Sequence, residues 1–153
     1  MGARSLRATL HYEPGLWIET DLTMFLSIVS NLMDNALNYP PEGGEISISG
    51  AAVGNTVRIR FENTSDLTPE DLDRMFDPFW RKNGARAGAG HSGLGLALVR
   101  VMCEALGAKV WAELGDDQRF AITVSLPGLV HGPDRFTDAV TDVGQVRSLT
   151  PTT

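Results

Sequence analysis

Three asparagines recur along one stretch of the chain: Asn31, Asn35 and Asn38, separated by four and then three residues. Asparagine is a mediocre helix former, about 0.5 kcal/mol worse than alanine, so three in eight positions call for a reason. A carboxamide oxygen is a hard ligand that suits Mg²⁺, and its NH₂ can donate to phosphate oxygens. A solvated helix face would account for the spacing as well. A second candidate is Ser92-Gly93-Leu94-Gly95-Leu96, which leads from a loop into a helix. Glycine lets backbone N–H groups approach a ligand, and a helix start adds unpaired donors and partial positive charge, which suits phosphate. A glycine pair at a helix start is common, however, and is weak evidence on its own.

The elements that must position these residues follow from periodicity. Leu6, Ala8 and Leu10 alternate with polar residues as a strand, and Leu16-Trp17-Ile18 is a short apolar run. Asp21 is placed to cap a helix from Leu22 to Asn38. Its apolar residues, from Leu22 to Leu37, define a face with the asparagines across from it. Ile46 and Ile48, then Val57, Ile59 and Phe61, alternate as a pair of strands around Gly54-Asn55. Thr68-Pro69-Glu70-Asp71 carries the signals of a short helix start. Arg81 to Ser92 reads as a mobile loop. A helix follows from about Gly93 to Leu106, and Val110–Leu114 with Arg119–Leu126 form a hairpin. The periodic pattern stops after Pro127. The expected organisation is one domain over residues 1–128 and a disordered polar tail over 129–153. Strands and hairpins mixed with few helices predict an α+β two-layer sandwich: a mixed, mostly antiparallel sheet with about three helices on one face.

Composition narrows the function. The 153 residues hold 42% hydrophobic and 21% charged residues, the balance of a soluble globular domain. A net charge of −6 argues against nucleic acid or an anionic membrane as the main partner. The single cysteine, Cys103, rules out an internal disulfide and reads as a small core residue. No apolar run approaches the length of a membrane span. The expected location is cytoplasmic, with a longer parent protein that could be anchored in the inner membrane.

Taken together, the motifs resemble one family: the histidine-kinase branch of the ATPases that include DNA gyrase, the MutL repair proteins and the ninety-kilodalton heat-shock chaperone. Asn31-Leu32-Met33-Asp34-Asn35-Ala36-Leu37-Asn38-Tyr39 resembles its asparagine box. Phe76-Asp77-Pro78-Phe79-Trp80-Arg81 resembles its phenylalanine box, and His91-Ser92-Gly93-Leu94-Gly95-Leu96 its second glycine box. The resemblance implies a Bergerat-type ATP-binding fold with ATP and Mg²⁺ as ligands. It implies Asn35 and Asn31 as the catalytic pair and the Mg²⁺ ligands, Asn35 at the family's ligand position and Asn31 where gyrase-type members keep a glutamate base. Without that glutamate, phosphoryl transfer to a protein is expected in preference to ATP hydrolysis. Tyr39 and Asn63 would meet the adenine, with Leu67 and Phe79 nearby. The run His91 to Leu96 would lie along the phosphates, Asn38 would border the nucleotide where a lysine is common and so offer one phosphate contact fewer, and Arg81, Lys82 and Arg86 would neutralise γ-phosphate charge.

The family's first glycine box is altered. Glu62-Asn63-Thr64-Ser65-Asp66-Leu67 contains no glycine where Asp-x-Gly-x-Gly is usual. Counting back from the next helix places Glu62 at the aspartate. Strand parity instead places Asn63 inward with Val57, Ile59 and Phe61. Asn63 could accept a hydrogen bond from the adenine amino group but lacks the charge of aspartate. His11, His91 and His131 lack the surroundings of a phospho-acceptor. The resemblance therefore implies partners: a helical dimerisation and phospho-acceptor domain, expected upstream of Met1, and a response regulator. The alternatives are a nucleotide-dependent interaction module without kinase activity and a serine kinase of the anti-sigma-factor type.

Overall fold

The computed structural model describes residues 7–38, 44–82 and 92–129. The elements run β1 (Arg7–Tyr12), β2 (Trp17–Ile18), α1 (Leu22–Asn38), β3 (Glu45–Val53), β4 (Thr56–Thr64), α2 (Pro69–Arg74), α3 (Gly95–Ala105), β5 (Lys109–Leu114) and β6 (Arg119–Leu129). The six strands form one sheet in the order β1-β3-β4-β6-β2, with β5 also pairing with β6. Only β1 and β3 are parallel; the other pairs are antiparallel. This is the expected α+β sandwich with a mostly antiparallel sheet.

Alternation decides which side of the sheet is covered. Val57, Phe61 and Asn63 of β4 and Phe120, Ile122, Val124 and Leu126 of β6 are buried on the inner face. Helices α1 and α3 pack on each other and against the sheet, closing a core around Ile28, Leu32, Val99 and Cys103. Asp21 starts α1 as expected: its carboxylate accepts from Met24 N at 2.9 Å and its carbonyl from Phe25 N at 2.9 Å.

Two boundaries move. Strand β6 continues through Pro127 and Gly128 to Leu129, because Trp17 and Ile18 pair with Leu129 and Gly128. Helix α3 begins at Gly95 and not at Gly93, since Gly93 has φ 74°, outside the helical region. Leu129, expected to open the tail, closes β6; residues 130–153, which include His131 and the rest of the expected tail, lie outside the described residues.

Candidate functional site

Helix α1 buries Ile28, Leu32 and Ala36 and leaves Leu22, Leu26 and Leu37 exposed. The asparagine stripe therefore lies at the border of the buried face and not across from it. Leucines on the exposed side of α1 make its sequence look apolar on a face that the core does not use. Asn31 and Asn35 are half-buried where α1 meets the start of α3. Asn31 Nδ2 donates to Ser27 O at 2.8 Å, which leaves Oδ1 turned toward α3. A Cβ at Gly95 would lie 2.9 Å from that oxygen, so the glycine is what lets the two helices come this close.

Gly93 is needed for two reasons. Its positive φ disfavours any side chain, and a Cβ would lie 2.7 Å from Phe79 C and 2.9 Å from Trp80 O. Its carbonyl accepts from Phe79 N at 2.9 Å. This contact joins the phenylalanine-box segment to the segment that opens α3.

Between these elements lies a cleft of about 190 Å³. It is lined by Asn31, Asp34 and Asn35 of α1, Ser92 and Gly93, Gly95 and Leu96 of α3, Leu67, Met75, Trp80 and Phe120. Its lining is mixed: carboxamides of α1 and the start of α3 are polar, and Leu67, Met75, Leu96 and Phe120 are apolar. Of the residues singled out in the sequence, Asn31, Asn35, Leu67, Ser92, Gly93, Gly95 and Leu96 meet at this cleft.

Other expected residues do not line it. Asn63 is only 2% exposed, on the side that parity requires, but its Nδ2 donates to Thr64 O at 2.9 Å. Phe79 is 72% exposed with φ 66°. Leu94 and Arg81 are half-buried away from the lining. Lys82 does not face the cleft. Its Nζ bonds to Asp66 O and lies 3.4 Å from Asp66 Oδ1 and 3.2 Å from Asp71 Oδ2. The side chain of Asn38, and Tyr39, Arg86 and His91 entirely, lie outside the described residues.

Four lining residues were missed. Asp34 sits three positions after Asn31, so helical spacing alone places it on the same stripe. Phe120 is the first inward residue of β6, and Met75 follows α2. Trp80 adjoins the phenylalanine box.

No group of three or more His, Cys, Asp or Glu residues placed to hold a metal ion occurs among the described residues. A cation here would depend on carboxamide and carboxylate oxygens of α1, completed by phosphate and water. That all-oxygen set fits Mg²⁺, which keeps several waters and takes few protein ligands.

The family model for histidine kinase-, DNA gyrase B-, and HSP90-like ATPases matches residues 20–129. The chain belongs to this family. Within it, similar proteins include sensor histidine kinases. The chain is 32% identical over 117 residues to the sensor histidine kinase WalK of Bacillus subtilis, covering 73% of this chain and 19% of WalK. It is 37% identical over 114 residues to the sensor-like histidine kinase SenX3 of Mycobacterium bovis, covering 72% of this chain and 27% of SenX3. It therefore spans about a quarter or less of these relatives. The solved catalytic domain of histidine kinase ThkA, in a nucleotide-free form, is similar with a TM-score of 0.68. It is 26% identical, and the match covers 80% of each chain.

Proposed function

We propose that this domain binds Mg²⁺-ATP in the cleft and presents the γ-phosphate to a histidine on a helical partner domain. The observation that carries the reading is the approach of α3 to α1 at Gly95 and Asn31, which puts helix-start amides opposite carboxamide oxygens. Free N–H groups at the start of α3, helped by the helix dipole, suit phosphate oxygens. Asn35, with Asn31 and Asp34 beside it, supplies the oxygens for the cation. When bound, Mg²⁺ would neutralise charge on the phosphates. Phe120, Met75, Leu96 and Leu67 offer an apolar wall to a flat base. Position 31 carries a carboxamide that cannot take a proton from water, so transfer to a protein acceptor is favoured over hydrolysis. Catalysis then consists of orientation and charge neutralisation. The base acting on the histidine comes from the partner, and a response regulator receives the phosphate next, on the cytoplasmic side of the membrane.

The test is to mix the chain with its phospho-acceptor segment and γ-labelled ATP. Acid-labile, base-stable label on a histidine is the expected product. Nucleotide binding without such label would overturn the kinase reading.

A further inference from the structure

Lys82 stands two residues after Trp80, and its ammonium reaches sixteen residues back along the chain to Asp66. Its side chain is 18% exposed, which is low for lysine, and it meets Asp71 Oδ2 at 3.2 Å. The same Asp71 oxygen accepts from Thr68 N at 2.8 Å, closing the first turn of α2. Burial would raise the Asp71 carboxyl, but the Thr68 hydrogen bond and Lys82 outweigh it and hold it below its usual range. Between Asp66 and Thr68 lies Leu67, whose N–H donates to Ser65 Oγ at 3.2 Å. Leu67 and Trp80 both line the cleft; Lys82, Asp66 and Asp71 do not.

We propose that Lys82 is a positioning residue of the cleft: by bonding Asp66 and Asp71 it fixes the Leu67 wall relative to the Trp80 wall and so sets the cleft's width. This rests on the nucleotide-binding reading above. It gives Lys82 a different role from a direct phosphate contact, and the two roles have different consequences. A residue acting through the walls affects nucleoside and nucleotide alike. A residue touching phosphate affects only ligands that carry it.

The full chain and its Lys82→Met, Lys82→Arg, Asp71→Asn and double Lys82→Met/Asp71→Asn variants would be titrated with adenosine, ADP and a non-hydrolysable ATP analogue. Lys82→Met is expected to weaken all three by a similar factor, about fivefold. Lys82→Arg should restore most of the loss, and the double variant should be no worse than Lys82→Met. Loss confined to the triphosphate, or no loss at all, would overturn the proposal. A second measurement needs no nucleotide. With 5-fluorotryptophan incorporated, the Trp80 resonance should move in Lys82→Met and Asp71→Asn while those of Trp17 and Trp111 stay. A stationary Trp80 resonance overturns the clasp even if ATP binds. A wild-type chain that binds no nucleotide, with Trp80 shifting as expected, overturns the functional reading and leaves the clasp standing.

Discussion

A methyl group at position 95 would press on the Asn31 carboxamide, whose other end is tied to Ser27. The amide cannot swing aside without breaking that bond. Gly95→Ala is therefore expected to push α1 and α3 apart and weaken ATP-analogue binding about tenfold, within the ~1–3 kcal/mol that overpacking costs. Calorimetry reads the loss, and an unchanged circular dichroism spectrum shows the fold is kept. Cys103 offers a separate check. It is 1% exposed, and burial pushes its thiol up to about 11. At pH 8 iodoacetamide should leave the native chain unmodified and alkylate it only in denaturant. At this scale helical spacing put Asn31 and Asn35 on one stripe and strand parity turned Asn63 inward, but periodicity misplaced that stripe relative to the buried face, because Leu22, Leu26 and Leu37 stay exposed. The sequence could not foresee that Lys82 would be held by Asp66 and Asp71. That pairing joins residues far apart in the chain and leaves no local pattern.

The strands carry a chain of ion pairs across the outer face of the sheet. Arg7 meets Glu45 at 3.2 Å, Arg119 joins Glu45 to Glu62, and Arg60 joins Glu62 at 3.1 Å to Glu113 at 2.6 Å. Burial alone would push the Glu62 carboxyl up; hydrogen bonds from Arg119 and Arg60 outweigh it and hold it below its usual 4.5. A carboxylate depressed in the folded state stabilises above its unfolded value and stops doing so as pH falls through the folded one. Urea midpoints measured from pH 6 downward should drop below about pH 4.5, and Glu62→Gln should flatten that limb. Element order and type were legible because hydrophobic spacing is a local signal. The start of α3 was not, because it depends on Gly93 yielding its helical conformation to make room for Phe79 and Trp80. The end of β6 was not either, because its last pairing is with β2, over a hundred residues away in the chain.

For the whole molecule, a ligand that binds only the folded chain must raise its stability. At a hundred times its dissociation constant an ATP analogue with Mg²⁺ contributes about 2.7 kcal/mol, or roughly 8 °C in Tm for a domain of this size. Scanning calorimetry with and without nucleotide would show the rise, and Asn35→Ala should abolish most of it. The sandwich could be foreseen from its strands and hairpins. The parallel pairing of β1 with β3 depends on contacts that alternation does not encode.

Helix α1 faces two ways: Ile28, Leu32 and Ala36 anchor the interior while Asn31 and Asn35 border the cleft. Whatever grips the amides also grips the rod that the interior is built around. Deuterium uptake should accordingly slow along all of α1 when nucleotide is added, including turns near Phe25 that touch nothing bound, and resistance to unfolding should track occupancy.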